Sequence, residues 1–409
     1  MPLFLSLTPR AKAWDKFKQY IKTGPRESET VSIQDAVGRI LAEDIVSPVD
    51  LPGFARSTKD GYAVPASSTF GASQGLPALL ALRGRIRMGE PAKMSLGPHE
   101  CAAIATGGMM PEGADAVVMV EMCEVMDDNT IAVTHSVAPG ENVVGAKEDI
   151  ASGTLILPVG RRLRPSDIAG LAAMGVAEVK VAVGPRVAVI STGDELVGIS
   201  DSPHPGQVRD MNAYSLYSAV KAIGGRPKLW GIVRDEYTAM QEIMAKAHGE
   251  SDMVIVSGGS SIGERDFTRD AIQALGDPGV LIHGVAIKPG KPTVLAVAQG
   301  KPVFGLPGHP MSCLVVFNLF VAPAIARWMG TTLDRRTTQA RLSANVASIA
   351  GREDYVSVKL RRENGEVWAD PVFSKSAAIS GLIYADGVMR IPEDAEGVEK
   401  GRWISVMLF

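Results

Sequence analysis

Cysteine is scarce in this chain: Cys101, Cys123 and Cys313 are the three among 409 residues. Three thiols, far apart and odd in number, argue against a disulfide framework and against a cysteine-built zinc site. They are expected of a reducing compartment such as the cytoplasm. Histidine is also sparse, six copies without an H-E-x-x-H spacing, so a histidine-built metal site is not expected. A basic bias is missing as well, because 42 Lys and Arg face 45 Asp and Glu; nucleic acid is therefore not indicated as a partner. No apolar run reaches the ~20 residues of a spanning helix. The longest, Cys313 to Ala326, contains Asn318 and Pro323. Met1 to Leu7 is apolar but lacks the basic start of a signal peptide. No membrane segment is expected. A chain of this length with 46% hydrophobic residues has core enough for roughly two to four globular domains.

Two familiar phosphate motifs are also missing. Gly258 to Gly263 has the glycine spacing of G-x-x-x-x-G-K-S/T, but Glu264 stands where the lysine belongs. Nor is it G-x-G-x-x-G. What stands there is still informative. Met253-Val254-Ile255-Val256 reads as a buried parallel strand. It runs into Ser257-Gly258-Gly259-Ser260-Ser261-Ile262-Gly263, followed by Glu264 and Asp266. A glycine-rich turn between strand and helix aims backbone amides at an anion. Carboxylates beside it suit a metal ion on a phosphorylated ligand. A tight turn without ligand fits this stretch equally well.

Along the chain, Thr8-Pro9 predicts a helix cap ahead of Trp14, Phe17 and Ile21. Ser32 with Asp35 predicts a second helix striped by Ile33, Val37, Ile40 and Leu41. From about residue 75 to 145, short strands alternate with Gly/Pro turns, which makes a β-rich domain. From Pro185, strands and helices alternate. Val187 to Ile190 ends in Ser191-Thr192-Gly193-Asp194-Glu195; Asn212 and Asp235 are read as helix caps. This order predicts a doubly wound, mainly parallel sheet with ligands at the strand carboxyl ends. Lys288-Pro289-Gly290-Lys291-Pro292 holds two lysines in a stiff loop, and Leu306-Pro307-Gly308-His309-Pro310 opens a long apolar helix. Strands after Gln339 predict a small C-terminal β domain.

Taken in order, these loops resemble the molybdopterin molybdenumtransferase family (MoeA-type, with the gephyrin E domain as a relative). The motifs are Asp60-Gly61-Tyr62-Ala63-Val64, Thr106-Gly107, Glu148-Asp149-Ile150, Ser191 to Leu196, Ser257-Gly258-Gly259 with Gly263-Glu264-x-Asp266, Lys288 to Pro292, and Leu306-Pro307-Gly308-x-Pro310. The resemblance implies a multi-domain α/β and β chain. Residues 1–50 and 146–184 would form an N-terminal helical and mixed part, and 51–145 an inserted β-rich domain. Residues 185–330 would form the molybdopterin-binding α/β domain and 338–409 a β-barrel-like domain. It implies a cytoplasmic homodimer that cleaves adenylated molybdopterin with Mg²⁺, releases AMP and inserts molybdate into the dithiolene. Partners would be a molybdopterin adenylyltransferase and molybdoenzyme-maturation proteins. Catalytic roles fall to Asp60, Asp149, Glu195, Asp235 and Asp266, with Glu195, Glu264 and Asp266 on the metal. Substrate and oxyanion binding fall to Thr106, Thr192, Gly193, Ser257, Gly258, Gly259, Ser260, Gly263, Lys288, Lys291, Pro307, Gly308, Arg352 and Ser376. Departures from the family pattern include Ala55, Lys59, Lys147 in place of glycine, His309 in place of asparagine, and Ala377. Two other readings stay open on sequence alone: an idle scaffold or cofactor carrier, and a molybdopterin nucleotidyltransferase.

Overall fold

In the computed structural model, residues 7–259, 267–373 and 379–409 are described. Glu264 and Asp266, with Ser260 and Gly263, lie outside them, as do Ser376 and Ala377.

The α/β sheet runs in the order Arg226–Val233, Arg186–Thr192, Met253–Ser257, Lys301–Leu306, Val294–Ala298, Pro278–His283. The first four strands are parallel, and Val294–Ala298 runs antiparallel to both its neighbours, Lys301–Leu306 and Pro278–His283. Successive side chains of a strand face opposite ways, and here both faces are covered. Val187, Val189 and Ile255 pack on Leu216 and Val220 of the helix Asn212–Ala222 and on Phe317 and Phe320. Ala188, Ile190, Val254 and Val256 pack on Met240 and Met244 of the helix Tyr237–Glu250. Burial on both faces explains why these strands read as unbroken apolar runs.

The helix after Pro310 runs on to Trp328, passing through a π-turn at Phe317–Val321 just ahead of Pro323. Proline lacks the amide that the α pattern requires, and the wider turn accommodates it. This helix has 19 residues, more than the apolar run suggested, and is long and apolar enough to cross a membrane. Its most apolar stretch is nevertheless 78% buried among the core residues above, which is the setting of a core helix.

The inserted sheet runs Ala116–Met119, Gly61–Val64, Glu100–Ile104, Ala78–Arg85, Thr130–Val133, Cys123–Asp127. Val64, Cys101 and Val118 point to one core and Ala63, Ala102 and Val117 to another. The C-terminal sheet closes on itself, because Glu353–Glu363 pairs with both Glu366–Pro371 and Gly387–Ile391. Thr337–Leu342 and Trp403–Leu408 complete the ring of five. Its edge also takes Ile287–Lys288 from the α/β segment, with Ile287 opposite Glu353 and Lys288 opposite Asp354.

Two expectations near the N-terminus are corrected. The first helix is Arg10–Lys18 with Pro9 at the cap and no side-chain capping bond. Thr8 instead pairs its backbone with Gly284 and Ala286. Phe17 of this helix packs edge-on against Phe304 of the α/β core, centroids 5.3 Å apart. The second predicted helix is a single 3₁₀ turn, Ile33–Asp35. Gly38 at φ +79° ends any helical path, since L side chains rarely adopt that backbone. Val37 is left exposed, while Ile40 and Leu41 pair as extended chain with Arg162 and Val181.

Candidate functional site

The α/β loops meet at the carboxyl ends of the parallel strands. Thr192 is buried at the end of its strand, and its hydroxyl donates to Asp235 Oδ1 at 2.6 Å. Asp235 is therefore a partner of Thr192; the following helix starts from Glu236, so the expected capping role is not seen. Glu195 folds back over Gly193: a Cβ on Gly193 would lie 2.5 Å from Glu195 Oε2. Gly258 sits at φ +103°, and a Cβ there would strike the Thr192 carbonyl oxygen at 2.2 Å. Only glycine lets the two strand ends approach so closely. Gly259 lies against Thr268. Thr268 Oγ1 and Ser191 Oγ are both buried and have no hydrogen-bond partner among the described residues. Buried hydroxyls are normally satisfied, and these two lie beside Ser257 and Gly259 of the glycine loop. Thr268 carried no signal in the sequence.

Asn212 is a second residue that sequence reading misplaced. It is the first residue of its helix, with Met211 at the cap. Its Nδ2 donates to Ser257 Oγ at 2.9 Å and to the Gly308 carbonyl at 2.7 Å. It thereby joins the glycine loop to the Pro307-Gly308 turn, where Pro307 is buried and Gly308 exposed.

Past Gly308, His309 leads into a cleft of ≈ 710 Å³ between the α/β segment and the C-terminal barrel. Lys288, Lys291 and Arg352 all line it, together with Asp354. Both lysines are exposed. Asp354 is buried and accepts from Arg352 Nε at 2.8 Å, with Lys288 Nζ 3.9 Å away.

Asp60 sits on a separate loop cluster of the inserted domain, and Asp149 on the segment that returns from it beside Leu51. Arg56-Ser57 pairs with Val143-Val144, and Ser57 hydrogen-bonds to Gly107 and Gly108 through its backbone. The Thr106 amide donates to Asp60 Oδ1 at 2.7 Å. That bond, first among the causes, holds the exposed Asp60 carboxyl below the usual carboxylate range. Asp149 is exposed, its amide bonded to the Leu51 carbonyl. Lys147 stands at φ +67°, a left-handed conformation suited to glycine, and its ammonium pairs with Asp50 at 3.2 Å. Among the described residues, no side-chain hydrogen bond or ion pair joins this cluster to the α/β loops.

A nucleophile is not in view among the cysteines. Cys101 and Cys313 are buried, and burial pushes both thiols up to about 12. Burial pushes the half-buried Cys123 up to about 11. For a divalent ion, the described residues hold no group of three or more His, Cys, Asp or Glu. Glu195 and Asp235 offer hard oxygen donors beside the glycine loop. One or two carboxylates, with phosphates and water supplying the rest, is the usual arrangement for magnesium, so the donor set fits.

Comparison with known proteins gives one consistent answer. The model described as MoeA N-terminal region (domain I and II) matches residues 8–175. That described as "Probable molybdopterin binding domain" matches 188–327, and MoeA C-terminal region (domain IV) matches 339–409. The molybdopterin molybdenumtransferase of Bacillus subtilis is 34% identical, covering 93% of this chain and 90% of that protein. That of Haemophilus influenzae is 32% identical over 94% and 95%. A crystal structure of the molybdopterin biosynthesis MoeA protein from Pyrococcus horikoshii OT3 superposes with a TM-score of 0.87 at 32% identity, covering 99% of this chain and 100% of that one. On its sequence, its three matched regions and its fold, this chain belongs to the MoeA-type molybdopterin molybdenumtransferase family, a family of transferases in molybdenum cofactor biosynthesis.

Proposed function

We propose that this protein is a molybdenum insertase. It takes adenylated molybdopterin, cleaves its phosphoanhydride with release of AMP, and inserts molybdate into the dithiolene. The observation that carries this reading is the continuity of two anion-suited places: the Ser257-Gly258-Gly259 and Thr192 loops adjoin, through Gly308 and His309, the cleft lined by Lys288, Lys291 and Arg352. A pterin phosphate suits backbone amides and hydroxyls at strand ends. A compact ammonium with three donors suits a tetrahedral oxyanion.

Within this reading, Thr192 and the orphaned Ser191 and Thr268 hydroxyls bind the organic part of the substrate. Asp235 orients Thr192 by accepting the hydrogen bond of its hydroxyl. Glu195, with Asp235, would hold Mg²⁺, which when bound neutralises phosphate charge. Asp60, Asp149 and Thr106 form a second half-site. Among the described residues that cluster makes no side-chain bond to the α/β loops of its own chain, and we infer a homodimer in which one subunit's half-site completes the other's. Cytoplasmic residence fits three free thiols.

The test is to mix purified protein with adenylated molybdopterin, Mg²⁺ and molybdate and to follow AMP release. Release that needs all three components supports the proposal. Binding of molybdopterin without AMP release in any mixture would favour a scaffold or carrier instead.

A further inference from the structure

Asp354 is the one acidic side chain among the described residues lining the lysine cleft, and it is 3% exposed. Two features fix it there. Lys288 and Asp354 are register partners in the parallel pairing that joins the α/β segment to the barrel. Arg352 grips both carboxylate oxygens, Nε to Oδ1 at 2.8 Å and Nη2 to Oδ2 at 3.4 Å. Lys291 has no ion-pair partner among the described residues. The described lining residues thus carry three cations, Lys288, Lys291 and Arg352, against one anion, Asp354. Their sum, three minus one, is a formal charge of plus two, equal and opposite to that of a divalent tetrahedral oxyanion.

We propose that Asp354 is a specificity-determining and positioning residue. Its carboxylate holds Arg352 and Lys288 toward the cleft and limits the cleft's positive charge, so that a divalent oxyanion is matched while more highly charged phosphates gain no decisive advantage. This deepens the oxyanion reading given above and rests on it. An acid placed beside an anion site opposes ligand binding by Coulomb repulsion, and the opposition grows with the ligand's charge. A residue that merely held the fold would affect ligands of every charge alike.

The experiment titrates full-length protein, at one fixed ionic strength and without Mg²⁺, with three probes: perrhenate, molybdate and inorganic pyrophosphate. Perrhenate and molybdate are similar tetrahedra carrying one and two negative charges; pyrophosphate carries more. In Asp354→Asn the affinities should rise relative to one another by at least roughly fivefold per unit of ligand charge, the scale of one charge pair about 4 Å apart in bulk water. Displacement of Arg352 would act in the opposite sense, weakening the more highly charged probes more, so a gradient that falls with ligand charge would overturn the charge-limiting role. Asp354→Glu should restore the wild-type ratios, and melting curves identify a variant that has not folded. If Asp354→Asn misfolds, restored ratios in Asp354→Glu together with altered ratios in Asp354→Ser carry the same conclusion. Ratios unchanged in the folded variants, with wild-type binding intact, overturn the role of Asp354 alone. Wild-type protein that binds no molybdate, or binds it equally well after Lys288→Ala and Lys291→Ala, overturns the oxyanion reading and this inference with it.

Discussion

The amide of Asn212 holds the carbonyl of Gly308 at 2.7 Å, and its second hydrogen goes to Ser257 Oγ at 2.9 Å. One buried side chain therefore sets the spacing between the glycine loop and the turn that opens the lysine cleft. Alanine at this position leaves Ser257 and Gly308 without that donor. Loss of a hydrogen bond that strands a buried partner, here Ser257, typically costs about 1–3 kcal/mol. Asn212→Ala is expected to lose stability in that range by urea denaturation and to weaken binding of molybdopterin. Stability within about 0.5 kcal/mol of wild type with unchanged affinity would show that the two loops hold their spacing unaided.

The pH dependence of stability has a clear contributor far from the cleft. Asp167, 6% exposed, accepts from Arg161 Nε and Nη2 at 3.0 and 2.7 Å and from the Arg164 amide at 2.9 Å. The Arg161 hydrogen bonds, the largest cause, hold its carboxyl down from 3.8 to about 2. The folded value lies below the unfolded one, so the unfolded chain takes up the proton first. The stabilisation is present above the unfolded value and is lost as pH falls from about 4 toward about 2. At about 1.4 kcal/mol per pKa unit, this is worth on the order of 2 kcal/mol at pH 7. Asp167→Asn is expected to lose that amount at pH 7 and, over the acid window, to lose less further stability than wild type. Parallel curves for the two proteins would remove Asp167 from the account.

Much of this architecture was legible because its strands are buried on both faces. Val187 to Ile190 and Met253 to Val256 are continuous apolar runs for that reason. The loops that follow them were legible by their glycines, which allow approaches such as that of Gly258 to Thr192. What was not legible is non-local. Asn212 reads as a cap because its neighbours show helical spacing, yet its partners lie 45 and 96 residues away. Asp354 carried no signal in the sequence. It is buried where Lys288 of another segment pairs with it. The Ser32 to Leu41 stretch has the apolar spacing of a helix, but Gly38 interrupts it and tertiary pairing takes Ile40 and Leu41. Glu264, Asp266 and Ser376 lie outside the described residues.

The last prediction concerns Glu353, the neighbour of Asp354, which faces the other way into a charge network. Its carboxylate is buried and accepts from Arg10 Nε at 2.7 Å, Arg390 Nη1 at 3.1 Å and the Tyr355 hydroxyl at 2.5 Å. Burial, reinforced by the Glu353 hydrogen bond, raises the Tyr355 hydroxyl well above its ordinary value, so it stays a donor. Arg10 belongs to the first helix, which packs on the α/β core, whereas Arg390 and Tyr355 belong to the barrel. Glu353 thus binds the two bodies that enclose the lysine cleft. Removing one member of a buried pair leaves the others uncompensated and costs roughly 3–5 kcal/mol; the partial exposure of Arg390 places this case at the low end. Glu353→Gln is therefore expected to lose about 3 kcal/mol by urea denaturation and to weaken molybdate binding through a loosened cleft. Arg361→Ala is the control. Its partners Glu363 and Asp370 are exposed, and such pairs contribute about 0–1 kcal/mol. Equal, small losses in both variants would mean that the barrel is docked by its apolar contacts alone.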